Sequence, residues 1–258
     1  EKVQTIHPDC AFSVETKIDG LSMTLRYEKD ETGRLRLTLA ETRGDGMIGE
    51  DVTANAMVIP DVKRYIDLPY DRLQLRGEVY MSHEDFEKYN ELQEKVGRKI
   101  AANPRNLAAG SLRQLDPAIT RERGLKMFVF NVQQGPEEFV KSHCKSMDIL
   151  NQKDVPVVFH RRCVNAEEVL KAIDEIAEMR SSLEYDIDGA VVKIDEISYR
   201  DDFPAGSKYT SGHIAYKYPP EEATTKLRDI QVGVGRTGRV TPFAVLEPVL
   251  VAGSTVSR

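Results

Sequence analysis

Residues 12–20 read Phe-Ser-Val-Glu-Thr-Lys-Ile-Asp-Gly. Side chains of a strand alternate between two faces. Phe12, Val14, Thr16 and Ile18 therefore share one face, suited to a core, and Ser13, Glu15, Lys17 and Asp19 share the other. A lysine amine is a nucleophile only once deprotonated, and its reference pKa of about 10.4 keeps it charged at neutral pH. Nearby cations and burial lower that value, while carboxylates such as Glu15 and Asp19 raise it. Further charged residues sit in strand-like, buried-looking sequence: Arg76 and Glu78 in RGE, Asp188 and Lys193 in DGAVVK, and Lys217 in IAYKYP. Burying isolated charges is costly unless they pair or bind something charged. Several lysines aimed at one cleft repel each other, so an anionic ligand would stabilise them. The bland alternative for the first strand is a solvated outer face.

Strands expected at 10–18, 22–28, 35–42 and 73–81 would position these groups, with KDETG (29–33) as a hairpin loop. A helix is expected over 83–96. Ser82 is its N-cap, Asp85 is an acid in its first turn, and Phe86, Tyr89, Leu92 and Val96 form an apolar stripe ending at Gly97. A second helix starts at Asn103 with Pro104 in its first position. Residues 126–132 read as a buried strand. A third helix is capped by Asn165 and Glu168 in a capping box and lined by Val169, Ile173 and Ile176. Strands return at 187–194 and 213–219. Beyond Pro219-Pro220 the texture changes to short, glycine-punctuated strands of a small barrel, which sets a domain boundary near 220.

The 258 residues suit one large domain or one domain plus part of another. Hydrophobic residues at 40 % and charged residues at 30 % are a globular composition, and no apolar run approaches the roughly 18 residues of a membrane helix. Cys10, Cys144 and Cys163 form no Cys-x-x-Cys pair, which argues against zinc and for a reducing, cytoplasmic setting. The net charge of −6 argues weakly against nucleic acid. Yet Arg98, Lys99, Arg105 and Arg113 lie between positions 96 and 115 with no acid among them, a patch able to meet a phosphate backbone. The opening EKVQTIHPDC and the closing GSTVSR read as internal to a longer chain.

ETKIDG contains Lys-x-Asp-Gly, and with it the chain resembles the covalent nucleotidyltransferases. TRGDGMIGEDVTANA, LRGEVYM, AANPRNLAAGSLRQLDP, YDIDGAVVKID and IAYKYPPE follow in the order seen in bacterial NAD-dependent DNA ligases. VGRTGRVTPFAVLEPVLVAGSTVS resembles the start of the oligonucleotide-binding (OB) barrel that follows the adenylation domain there. The resemblance implies an α+β nucleotidyltransferase fold, with two antiparallel sheets, flanking helices and a nucleotide cleft between them. It implies an adenylation domain at 1–220 and the first strands of an OB fold at 221–258. Lys17 then corresponds to the lysine that attacks the α-phosphorus of NAD, expelling nicotinamide mononucleotide and forming lysyl-AMP. Asp19 corresponds to a proton acceptor or lysine-orienting group, and Glu15 to an adenine contact. Arg43 and Glu78 correspond to nucleotide contacts, Glu78 near the ribose. Lys193 and Lys217 correspond to phosphate lysines. Asp188 corresponds to a carboxylate near the metal, with Asp188 or Glu78 as Mg²⁺ ligands. Arg105, Arg113 and Arg180 correspond to contacts with nicked double-stranded DNA. The implied protein is a monomer acting in DNA replication and repair, with no membrane partner.

The resemblance is imperfect in two places. The family often has Pro, a basic residue and Trp ahead of its last lysine, where this chain has Tyr209-Thr-Ser-Gly-His213 and no Trp at all. His213 reads as structural. In addition, only sixteen residues precede Lys17, too few for the family's helical domain that holds the nicotinamide half, so slow reaction with NAD is expected. Two rival readings remain: an ATP- or GTP-using relative such as an RNA ligase or capping enzyme, and a nucleotide- or DNA-binding module without chemistry.

Overall fold

The structure, a computed structural model, describes residues 2–44, 49–203, 211–219, 222–251 and 254–258. The chain begins α1 (Lys2–Ile6), β1 (Phe12–Ile18), β2 (Leu21–Lys29), β3 (Leu35–Thr42), α2 (Thr53–Ala56), β4 (Tyr65–Ile66) and β5 (Arg72–Tyr80). It continues α3 (His83–Lys95), α4 (Pro104–Leu112), α5 (Pro117–Glu122), β6 (Lys126–Gln134), α6 (Glu137–Val140), α7 (His143–Gln152), β7 (His160–Cys163) and α8 (Ala166–Met179). Next come β8 (Ile187–Ile194), β9 (His213–Lys217), β10 (Leu227–Val234), β11 (Val240–Leu246), β12 (Val249–Val251) and β13 (Ser254–Val256).

Two antiparallel sheets carry the fold, as the resemblance implied. One has five strands in the order β4-β3-β2-β5-β6, and the other has four in the order β7-β1-β8-β9. Strand alternation explains the larger core. Met23, Leu25 and Tyr27 of β2 are buried on one side, with Leu35, Leu37, Leu73, Leu75 and Val79 beside them. Ala108 and Leu112 of α4 and Met147 and Leu150 of α7 complete that core. The smaller sheet buries Val14, Ile18, Ile187 and Ala190 against Ala172, Ile173 and Ile176 of α8. Burial of this kind stabilises by roughly 25 cal/mol per Å² of apolar surface.

The helix caps follow the sequence closely. Ser82 caps α3, Asn103 caps α4 ahead of Pro104, and the Asn165 side chain accepts from the Glu168 N–H at 2.9 Å. The Glu168 carboxylate reaches one residue further back than a capping box requires, to the Val164 N–H at 2.9 Å. The α3 stripe departs from expectation: Phe86 packs on the core, but Leu92 and Val96 stand more than half exposed. The first strand begins at Phe12, not position 10, and β9 ends at Lys217. Helix α7 and strand β7 are structural findings without a counterpart in the sequence reading.

The last four strands form two hairpins, β10 with β11 and β12 with β13. Ile230, Val232 and Val234 of β10 are exposed on one face. No helix among the described residues is long and apolar enough to cross a membrane.

Candidate active site

Residues directly opposite in antiparallel strands point to the same face. Three rows therefore cross the inner face of the four-stranded sheet: Ser13–Lys193–His213, Glu15–Val191–Ala215 and Lys17–Gly189–Lys217. In the last row Gly189 leaves the space between the two lysines without a side chain. It also permits close strand approach, since a Cβ there would lie 2.1 Å from the Tyr216 carbonyl oxygen. Regular alternation would send Asp188 to the opposite face from its neighbour Gly189. The register instead shifts between Lys17 and Ile18, so that Lys17 pairs with Gly189, Ile18 pairs with Ile187, and Asp188 is the extra residue. Such a bulge re-aims a side chain. The Asp188 carboxylate accepts from Lys17 Nζ at 2.9 Å and lies 3.7 Å from Lys217 Nζ.

Deeper in the sheet, the Glu15 carboxylate is held from three sides. Ser13 Oγ donates to Oε1 at 2.8 Å, His143 Nε2 lies 2.5 Å from the same oxygen, and Lys193 Nζ lies 2.6 Å from Oε2. Glu15 and His143 are 1 % exposed and Lys193 is 4 % exposed. Burial alone would raise the Glu15 pKa, but the Lys193 charge and the hydrogen bonds from His143 and Lys193 overcome it and hold the carboxyl well below its usual range. Burial drives the His143 imidazole down to about 4, and the Lys193 charge adds to the effect. Burial also lowers the Lys193 ammonium, against the opposing pull of Glu15. Lys193 donates to the Phe130 carbonyl at 2.5 Å and lies 5.3 Å from the centre of that ring. Phe130 is itself the extra residue of a second bulge, in β6 opposite Arg76 and Gly77. The structure thus sets Lys193 against Glu15 and Phe130 and away from the Lys17–Asp188 pair. His213, beside Lys193, is pushed down to about 3 by burial, with Arg200 and Lys193 adding to the shift.

The five-stranded sheet contributes Glu78, opposite Ser22. Burial raises its carboxyl to about 7, while Lys17, Arg105 and Arg76 pull the other way. Gly20, the turn residue after the lysine motif, lies against β5, where a Cβ would sit 2.3 Å from the Val79 carbonyl oxygen and 3.0 Å from Glu78 Cγ. Arg76 donates from Nε to Ser22 Oγ at 3.0 Å. Exposed Arg43 lies near enough to depress the Arg76 pKa, after burial. Residues 45–48 of the TRGDGMI segment, and Tyr209-Thr210, lie outside the described residues.

Asp19 forms its ion pair with Arg105 rather than with Lys17. Its carboxylate accepts from Arg105 Nη1 of α4 at 2.9 Å, so the carboxylate touching the lysine is that of Asp188. Arg113, just after α4, donates to Glu50 at 2.6 Å. Arg105 and Arg113 are 59 % and 46 % exposed. Arg180, in a 3₁₀ turn after α8, lies near Tyr218. The structure therefore gathers Lys17, Asp188 and Lys217 at one end, Glu15 and Lys193 at the other, and Glu78, Asp19 and Arg105 across from them.

Sequence profiles separate the chain in two. Residues 1–221 match the NAD-dependent DNA ligase adenylation domain, and residues 224–258 match the NAD-dependent DNA ligase OB-fold domain. The chain belongs to the NAD-dependent DNA ligase family. The DNA ligase of Thermoanaerobacter sp. (strain X514) is 46 % identical over 252 residues, 97 % of this chain and 37 % of that protein. The DNA ligase of Bacillus subtilis (strain 168) is 44 % identical over 259 residues, 99 % of this chain and 37 % of that protein. The chain thus spans little more than a third of the length of its curated ligase relatives. A solved structure named "Pmar-Lig_Pre" shares the fold, with a TM-score of 0.51 and 14 % identity over 99 % of this chain and 53 % of that one.

His143 and Phe130 escaped the sequence reading of this ligase domain. Tertiary packing brings His143 to Glu15 from α7 and Phe130 to Lys193 from the β6 bulge. Phe130 carried one usable signal, its place in the apolar run KMFVFNV; His143, after Ser142, carried none tied to chemistry.

Proposed function

We propose that this chain performs the adenylation step of a nick-sealing DNA ligase, with Lys17 as nucleophile and NAD as adenylate donor. The observation that carries the reading is the row Lys17–Gly189–Lys217 with Asp188 bulged into it. An amine and a second cation flank a gap just where a phosphate would relieve their repulsion. The adenosine half of NAD lies along the cleft, its base toward Glu15 and Lys193, its ribose toward Glu78 and its α-phosphate at Lys17 and Lys217; Lys193, paired with Glu15, thus serves the base in place of the phosphate contact expected of it. Arg43 lies on the same nucleotide path.

Lys17 Nζ forms a bond to the α-phosphorus. The bond from that phosphorus to the bridging oxygen breaks, and its electron pair leaves on the phosphate of nicotinamide mononucleotide. Asp188 holds the amine in line. The amine's proton leaves to water, which reaches the pair because both side chains are 30 % exposed. Asp19, tied to Arg105, orients the loop that follows the lysine strand.

Among the described residues no group of three or more His, Cys, Asp or Glu side chains is gathered to hold a metal. That suits Mg²⁺, which takes one or two carboxylates plus phosphate and water oxygens. Asp188 is the donor best placed, with Glu78 as a second carboxylate facing the cleft. When bound, the metal supplies neutralising charge beside the phosphates. In the whole protein AMP then passes from Lys17 to the 5′-phosphate of a nick, and the 3′-hydroxyl displaces it. Arg105, Arg113 and Arg180 would serve the DNA backbone. We place the boundary between adenylation and OB-fold domains near residue 220.

The test is the intact mass of the protein after incubation with NAD and Mg²⁺. The expected result is a gain of one AMP that is reversed by nicotinamide mononucleotide and absent in Lys17→Ala. A protein that gains AMP from ATP and not from NAD, or a Lys17→Ala variant that still gains it, overturns the reading.

A further inference from the structure

We propose that His143 is a specificity-determining positioning residue, fixing the Glu15 carboxylate so that the Glu15–Lys193 pair accepts adenine and rejects 6-oxopurines. The inference rests on the reading of the cleft given above and adds a residue from outside both sheets.

The delivery of the His143 ring is built into the start of α7. Asp195, itself 4 % exposed, accepts from the Cys144 N–H at 2.8 Å, from Ser142 Oγ at 3.0 Å and from Arg162 Nε at 3.1 Å. Its backbone carbonyl accepts from the His143 N–H at 3.0 Å. The first turn of α7 is thereby anchored to the end of β8, the strand that carries Lys193. A ring so anchored arrives at Glu15 Oε1 from a fixed direction, 2.5 Å away and out of contact with water. With the imidazole neutral, Nε2 carries the hydrogen and donates it to the carboxylate.

Three donors then pin both oxygens of Glu15: His143 and Ser13 on Oε1, and Lys193 on Oε2. A carboxylate held this way stays ionised and offers an incoming base nothing but lone pairs. Lys193 offers nothing but N–H donors. Adenine presents a donor at its 6-amino group and an acceptor at N1, which complement that pair. A 6-oxopurine presents the reverse, an acceptor at O6 and a donor at N1, so both contacts become repulsive. A site built to hydrogen-bond one pattern rejects its inverse because buried groups would be left unpaired. Without the His143 donor, Oε1 keeps Ser13 alone. Glu15 is then free to rotate toward Lys193 or to take up a proton in its buried setting. A protonated Glu15 donates to O6, and the discrimination relaxes.

The experiment compares AMP and inosine monophosphate binding by calorimetry in the wild-type protein and in His143→Ala, His143→Leu and His143→Gln. The wild type is expected to prefer AMP. His143→Ala is expected to lower that preference about tenfold or more, with AMP weakened and inosine monophosphate spared. His143→Leu, which fills the ring's volume without a donor, gives the same result and stands in if the alanine variant does not fold. His143→Gln, whose amide still donates, restores the preference. Equal weakening of both nucleotides, an unchanged ratio, or a wild type without preference overturns the proposal. Lysyl-AMP formation on Lys17 is measured alongside. If the wild type takes AMP while the variants keep its preference, the inference falls and the reading of the site stands. If the wild type binds neither nucleotide and takes no AMP, both fall.

Discussion

Replacing Lys193 by methionine removes a charge from the most enclosed part of the cleft while roughly keeping volume. Lys193 Nζ lies 2.6 Å from Glu15 Oε2, and both residues are under 5 % exposed. At an effective dielectric of about 20, two unit charges at that distance attract by about 6 kcal/mol. Desolvation of the two ions offsets much of this. Removing one partner, however, strands the other, and such losses run about 3–5 kcal/mol. Ser13 and His143 still donate to Glu15, so the lower part of that range is expected, near 3 kcal/mol. Against a typical domain stability of about 5–15 kcal/mol, the variant stays folded but melts measurably earlier. The loss should also depend on pH. In the wild type the folded-state pKa of Glu15 is depressed. Its contribution is therefore present above the unfolded value of about 4.3 and is lost as pH falls through the folded one. In Lys193→Met the main opposing charge is gone and burial raises that pKa. The variant then loses stability as pH rises through the raised value, and the gap from wild type widens toward neutral pH. Adding Glu15→Gln to Lys193→Met should recover most of the loss. The assay is urea unfolding at pH 5 and pH 7.5, followed by circular dichroism because the chain has no tryptophan. A loss under about 1 kcal/mol, or one that is the same at both pH values, refutes the reasoning.

Three further outcomes are expected. Glu78, raised to about 7 by burial, keeps a proton in the folded state that the unfolded chain releases near pH 4.3, so it makes stability fall as pH rises between those values. Glu78→Gln should remove that slope, up to about 1.4 kcal/mol per pH unit, and an unchanged pH profile of the melting temperature counts against the assignment. Gly189→Ala puts a Cβ 2.1 Å from the Tyr216 carbonyl oxygen and 3.0 Å from Lys217 Cα. It should cost roughly 1–3 kcal/mol and slow lysyl-AMP formation by displacing Lys217, and a variant as stable and active as the parent contradicts this. Arg105→Ala and Arg113→Ala should each reduce the salt dependence of nicked-DNA binding by about one unit of slope, equally across sequences, and unchanged slopes would exclude them as phosphate contacts.

Much of the fold was legible because its signals are local. The strands expected at 10–18, 22–28 and 73–81, the caps at Ser82, Asn103 and Asn165, and Pro104 in a first turn each follow from neighbouring residues, and the structure has them with strand ends shifted by one or two residues. The α3 stripe misled: at about 100° per residue Leu92 and Val96 stand roughly 120° and 80° around the helix from Phe86, so the stripe drifts off the face that packs on the core. Helix α7 was missed because its buried Cys144, Ser146, Met147 and Leu150 mix polar with apolar types, so its inward face does not read as hydrophobic.

The site was legible in its residue types and less so in its pairing, and the reason lies in where regular structure breaks. From alternation alone, Lys17 belongs with Glu15 and Asp19, two carboxylates that would oppose its deprotonation. The structure dissolves that grouping: Glu15 is taken up by Lys193 and His143, and Asp19 by Arg105. The carboxylate that replaces them at Lys17 is Asp188, which strand periodicity assigns to the wrong face. It reaches the lysine through the bulge in β1–β8, and Phe130 reaches Lys193 through one of the two bulges in β5–β6, the one opposite Arg76 and Gly77. A two-residue period cannot encode either. At each, one extra residue brings a group to a charged row that a regular ladder would not: the Asp188 carboxylate to Lys17, and the Phe130 carbonyl and ring to Lys193. The regular strands thus fix how far apart the charged rows lie, and the two irregular positions decide which charges meet. In this chain the carboxylate that meets Lys17 and the aromatic residue that meets Lys193 are both set by a departure from the pattern that makes the rest of the sheet readable.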